Sequence, residues 1–149
     1  MSSLTDQSTF DVRRAHWERD QEALSLVRIR VFVNEQGVPE DLEWDGADAQ
    51  AAHLLAFDPS ERPIGTARLL RSGQIGCMAL LPEWRHRRVE TGLLHEALNL
   101  ADGPGWPTPF IHVQTGALSF YQSHGFRERG PELWDARIPH RLMTYRRKP

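Results

Sequence analysis

Residues 74–101, QIGCMALLPEWRHRRVETGLLHEALNLA, constrain the fold more than any other stretch of the chain. The apolar run from Ile75 to Leu81 reads as a strand, and Pro82 stops it. Arg85, His86, Arg87 and Arg88 then follow in succession. Apolar side chains return at Val89, Leu93, Ala97 and Leu100, the three-and-four spacing of an amphipathic helix. Strand, basic turn and helix in that order point to a layered mixture of sheet and helices. The first turn of a helix carries free N–H groups and a partial positive charge, so a basic loop leading into it suits an anion such as a phosphate. Arginines at such a junction are also common as solvated surface side chains, so the stretch alone leaves both readings open.

The flanking sequence supplies more strands. Residues 51–57, 64–70 and 75–81 are short apolar runs separated by Pro59, Arg62-Pro63 and Ser72-Gly73, which predicts an antiparallel meander. Upstream, Phe10, Val12 and Ala15 suggest a first strand after a frayed start over residues 1–8. Asp20 is the expected N-cap of a helix running to about Val33, with Leu24, Val27 and Val31 on one face. Gly37 and Pro39 end that helix, and an acidic loop follows, with Glu40, Asp41, Glu43, Asp45 and Asp48 in it. Downstream, residues 103–107 (GPGWP) break the chain, and Ile111 and Val113 alternate with His112 and Gln114 in another strand. A short helix over residues 117–124 should end at Gly125. Phe126 starts a further strand, residues 131–139 read as a loop, and residues 142–146 as the last strand.

The whole fits one domain of 149 residues. A net charge of −2 argues against a general nucleic-acid binder, whose surface would be basic, and no aromatic residues interleave with the basic run. The single cysteine, Cys77, excludes an internal disulfide and a cysteine-based zinc cluster and suits a reducing cytoplasm; it reads as a small core residue. No apolar run is long enough to cross a membrane, and the N-terminus MSSLTDQST lacks the basic and apolar regions of a signal peptide. The seven histidines show no metal-ligand spacing, so no metal is expected.

The order of elements and four sequence landmarks resemble the GNAT family of acyl-CoA-dependent N-acyltransferases over about residues 10–146. The landmarks are Phe32-x-x-Glu35-Gln36-x-x-Pro39, found in a branch of small bacterial members; the segment Gly65-Thr66-Ala67-Arg68-Leu69 with Met78-Ala79-Leu80; Leu81-Pro82-Glu83-Trp84-Arg85; and Phe120-Tyr121-Gln122-Ser123-His124-Gly125-Phe126. The resemblance implies a GNAT-like α/β fold, a mostly antiparallel sheet of six to seven strands with a splayed fourth and fifth strand and about four flanking helices. It implies acetyl-CoA as cosubstrate, its pantetheine arm pairing with Met78, Ala79 and Leu80. Its pyrophosphate would lie on Arg85, His86, Arg87, Arg88, Val89, Glu90 and Thr91. A small-molecule primary amine would then attack the thioester directly, and Tyr121 matches the position of the general acid that protonates the leaving thiolate. A homodimer is a further expectation, since many relatives are dimers.

This chain departs from the family's Q/R-x-x-G-x-G/A loop, because Arg88 and Glu90 fill both small positions. Glycine there lets the backbone approach phosphates, whereas Glu90 adds a carboxylate where negative charge should bind. Arg87 and Arg88 could supply charge instead, and Gly92 offers a shifted register. The substitution favours a second reading, a GNAT-fold binding protein that has lost catalysis. Glu35 is a candidate base or amine contact, against a helix-end surface carboxylate. His112 is a candidate base, against a strand histidine that only satisfies hydrogen bonds. His53 and His140 read as structural, and the acidic run as a solvated face that could attract a cationic acceptor.

Overall fold

Alternation and turn chemistry produce the meander. The computed structural model describes residues 9–37, 46–135 and 138–145. In it β1 (Asp11–Ala15) pairs with β2 (Ala52–Phe57), β2 with β3 (Pro63–Leu69), and β3 with β4 (Gln74–Leu80), all antiparallel. The β2–β3 turn is held by Asp58, whose carboxylate accepts the N–H groups of Ser60 and Arg62 at 2.8 and 2.9 Å. The β3–β4 turn needs Gly73: its φ is +95°, and a Cβ there would lie 2.7 Å from the Thr108 carbonyl oxygen. Beyond β4 come α2 (Val89–Ala101), β5 (Phe110–Gln114), α3 (Leu118–Gln122), β6 (Phe126–Asp135) and β7 (Ile138–Tyr145), with α1 (Trp17–Arg28) between β1 and β2. The seven strands form one sheet in the order β1-β2-β3-β4-β5-β7-β6, with β4 and β5 its one parallel pair among the described residues.

Strand alternation divides the helices between the two faces. On one, α2 presses so closely on β3 that a Cβ at Gly65 would meet Leu93 Cδ1 at 3.1 Å. On the other, Leu24 of α1 packs with Leu55 and Ala15. The main core lies under α2, where Leu54, Ala67, Leu93, Leu94, Ile111 and Met143 are buried.

Several sequence expectations change. α1 starts at Trp17 with His16 as N-cap, not at Asp20; the Asp20 carboxylate instead reaches back to accept the His16 N–H at 2.9 Å, which satisfies a donor the helix cannot. The helix does not run on as α beyond Arg28 but widens into a π-helix over Ile29–Glu35, where the Gln36 N–H bonds the Val31 carbonyl. Among the described residues, three α-helices and this π-helical segment agree with the expectation of about four helices. Most of the expected loop over residues 131–139 is strand: β6 runs through Pro131 to Asp135 and β7 contains Pro139. Pro131 is tolerated because β6 is an edge strand whose register shifts between Arg129 and Leu133. Pro139 lies beyond the end of β5, whose pairing with β7 stops at His140. Asp48 is not part of a solvated acidic face. It is buried, and its Oδ1 accepts Arg28 Nη1 at 2.8 Å and Arg68 Nη1 at 3.1 Å. The other acidic residues of that run, the frayed start and the Cys77 side chain lie outside the described residues.

Candidate active site

The two ladders flanking β4 open the site. β4 and β5 pair only at Gln74↔Phe110 and Ile75↔Ile111. On the other side, Thr66 faces Ala79 while Arg68 faces Gly76, so β4 carries one residue more than β3 across this step. Such a bulge bends and twists its strand. β4 therefore diverges from β5, and from Gly76 onward its outer edge has no strand partner among the described residues. An extended chain with amide groups fits such an edge, because strand backbone supplies a row of donors and acceptors.

Helix α3 reaches across the opening. The Tyr121 hydroxyl lies 3.7 Å from Met78 Sδ, on the bulged part of β4. The ring is 9% exposed and fixed by edge contacts with Phe120 and Phe126. Burial, with the nearby charge of Glu90 added, pushes its phenol up to about 12. Tyr121 thus stays protonated at neutral pH, its O–H directed at a weak thioether acceptor. A hydrogen bond this weak is readily exchanged for one to a stronger acceptor in the gap.

The start of α2 borders the same opening. Among the described residues no side chain caps it, which leaves the N–H groups of its first turn suited to an anion. Arg88 is the N-cap and sits in the left-handed region at φ +68°; His86 does the same at φ +64°. The chain keeps, without glycine, a turn that glycine would adopt freely. His86, Arg87 and Arg88 are exposed, with the Arg87 guanidinium 5.1 Å from the centre of the Trp84 ring. Glu90 is half-buried, and its charge adds to the raised pKa of both Tyr121 and Arg85. Gly92 is occupied elsewhere. Its N–H bonds the Arg88 carbonyl, and a Cβ on it would meet Phe10 Cε2 at 2.9 Å, so it serves the packing of α2 on the N-terminal segment rather than a shifted phosphate loop.

The remaining expected residues divide. Arg85 turns to Glu35 in a half-exposed pair: both its terminal nitrogens bond Glu35 at 2.6 Å, and Nη2 also donates to the Leu80 carbonyl at 3.1 Å. The guanidinium holds the Glu35 carboxyl below the usual carboxylate range. His112 is exposed and leaves β5 on the face opposite buried Ile111 and Val113. His53 is buried against Trp17, its Nε2 2.8 Å from the Asp48 carbonyl oxygen, and burial pulls its pKa down. It is a structural histidine. Sequence reasoning missed the Arg28–Asp48–Arg68 cluster, although Arg28 stands four residues after Leu24 on a buried helix stripe, which is the trace such a cluster leaves.

A family model described as an acetyltransferase (GNAT) domain matches residues 18–147. The chain belongs to the GNAT acetyltransferase family. Among related sequences, the uncharacterised N-acetyltransferase YjcF of Bacillus subtilis is 35% identical over 78% of this chain and 86% of its own. Among solved structures, an acyl-CoA N-acyltransferase from Pseudomonas aeruginosa superposes with a TM-score of 0.81 at 24% identity, covering 93% of this chain and 100% of that one. Escherichia coli ElaA superposes at 0.82 with 23% identity over 93% of this chain and 100% of its own. At these identities the superpositions establish the GNAT fold. The splayed fourth and fifth strands expected from the resemblance are present as the two-rung β4–β5 pairing.

Proposed function

We propose that the protein is an N-acetyltransferase that transfers the acetyl group of acetyl-CoA to the primary amine of a small molecule, by direct attack within a ternary complex. The observation that carries this reading is a buried, protonated Tyr121 hydroxyl over the bulge of an open strand edge, beside an uncapped basic helix start. Each feature suits one part of the cosubstrate. The amide-bearing pantetheine arm matches the edge of β4 from Gly76 to Leu80. The pyrophosphate matches the N–H groups of Val89, Glu90 and Thr91, with Arg87 and Arg88 supplying charge and His86 a ring nitrogen for a hydrogen bond.

The chemistry needs two proton movements. The amine nitrogen forms a bond to the thioester carbonyl carbon and the C–S bond breaks, so the amine loses a proton and the sulfur gains one. Tyr121 is assigned the donation to sulfur, since it is protonated and positioned next to a soft acceptor already. His112, exposed past the last β4–β5 rung, is assigned the amine's proton. The left-handed backbone at Arg88 supports an intact phosphate turn over a degenerate one, because the side chain is accommodated without loss of the turn.

Calorimetry with acetyl-CoA tests the reading. Binding in the micromolar range, weakened on the order of tenfold by Arg88→Ala through loss of a charge-assisted contact, is expected. CoA release in the presence of a primary-amine panel should fall by about two orders of magnitude in Tyr121→Phe. No binding at millimolar acetyl-CoA would refute it.

A further inference from the structure

The proposed acyl-CoA site leaves Arg85 and Glu35 outside the phosphate loop, although both stand at its threshold. Leu81 donates its N–H to the Ile64 carbonyl of β3 at 3.0 Å. In a trans peptide the C=O and the following N–H point in opposite directions, so the Leu80 carbonyl points away from β3, toward the edge that β5 vacates. That carbonyl is the one Arg85 Nη2 takes at 3.1 Å. Arg85 therefore closes the last outward acceptor of β4. Its planar fork is in turn held by both oxygens of Glu35 at 2.6 Å. Glu35 itself is delivered by the π-helix Ile29–Glu35, whose wider turn sets where its final residue points. A second tie between the same segments, Arg30 Nη2 to Glu83 at 3.0 Å, keeps the π-helix against the turn after β4.

We propose that Glu35 is a positioning residue: by holding Arg85 on the Leu80 carbonyl, it fixes the end of the open β4 edge and so sets the register in which an acyl-CoA's pantetheine arm can pair. Arg85 engages both oxygens of Glu35 and holds its carboxyl below the usual carboxylate range, which makes Glu35 a poor general base for an acceptor amine. The same geometry removes Arg85 from the pyrophosphate contacts and leaves that charge to Arg87 and Arg88. This inference rests on the proposed acyl-CoA reading.

The test uses the full chain with Glu35→Gln, Glu35→Ala and Arg85→Ala, with thermal melts confirming that each folds. Acetyl-CoA Kd, KM, kcat and the pH profile are measured. Glu35→Ala and Arg85→Ala should each raise Kd and KM for acetyl-CoA on the order of tenfold, the loss expected for a charge-assisted bond, and the double variant should be no worse than either. Glu35→Gln, which keeps one bond to Arg85, should recover most of the affinity. The acidic limb of the pH profile should stay in place in all of them. A fall in kcat of a hundredfold or more in Glu35→Gln, with the acidic limb lost, would make Glu35 the base and overturn the proposal. Unchanged Kd and KM in Glu35→Ala would overturn it as well. Failure of the unaltered protein to bind acetyl-CoA would instead bring down the functional reading on which the proposal stands.

Discussion

Arg88→Gly should stabilise the free protein while weakening its hold on an anionic ligand. Arg88 sits at φ +68° and ψ +10° as the N-cap of α2. An L-residue in that region costs about 1–2 kcal/mol relative to the right-handed alternative, which glycine avoids. A cation at the positive end of a helix adds a further penalty of about 0.3–1 kcal/mol. Against these gains, glycine loses about 0.4–1 kcal/mol through the freedom of the unfolded chain. The balance is close to +1 kcal/mol, which for a chain of this size is a rise in Tm of about 2–4 °C. Arg88→Ala separates the causes, since alanine keeps the strained backbone and removes only the charge; its gain should be a few tenths of a kcal/mol. Thermal melts of the three proteins without ligand, at one pH and low salt, measure the differences. A glycine variant no more stable than the alanine variant would refute the claim that the turn is strained.

Three further outcomes follow from the geometry. Tyr121 keeps its proton to about 12 when folded and releases it near 10 when unfolded, so the stability tied to its protonated form is fully present below pH 10. Between 10 and 12 the unfolded chain loses the proton first, and stability should fall by about 1.4 kcal/mol per pH unit; urea melts at pH 9 and pH 11 should show that loss in the wild type and not in Tyr121→Phe. Asp48→Ala leaves two buried guanidinium groups without the carboxylate oxygen they share and should cost about 3–5 kcal/mol in denaturant unfolding; a cost below about 1 kcal/mol would mean the cluster is dispensable. Gly73→Ala combines a left-handed φ of +95° with a backbone contact at 2.7 Å, and should lower stability by roughly 2–4 kcal/mol, read from the same kind of melt.

Much of the fold could be read from local pattern, because the strands of the meander and the stripe of α2 each bury one face and so declare their period. What escaped depends on contacts between distant residues. Asp20 carries an N-cap residue type, yet it acts from inside the helix, since His16 happens to present its N–H to it. The π-helix has no signature in IRVFVNE; its last residue is drawn to Arg85, fifty positions later. Pro131 and Pro139 look like breakers until the sheet order shows that one is on an edge and the other past the end of β5. Gly92 looked available for phosphates, and only the approach of Phe10 reveals its use. In the candidate site, the resemblance led to Tyr121 and the open edge, while the side-chain directions of Arg85 and Glu35 could come only from coordinates.

The two rungs that join β4 to β5 divide the sheet into unequal panels, β1 to β4 on one side and β5, β7 and β6 on the other, each stitched internally by long antiparallel ladders. The seam between them is the thinnest part of the hydrogen-bonded framework, and it coincides with the place where a ligand would lie. A seam of this kind opens at lower free energy than the panels unfold. Any chain that hydrogen-bonds into it acts as mortar, so amide exchange at His112, which faces the gap on the same side as Phe110, should slow together with that of Met78 and Leu80 when the gap is filled. Occupancy would then be sensed across the entire sheet as a gain in cooperativity, with the two panels yielding as one.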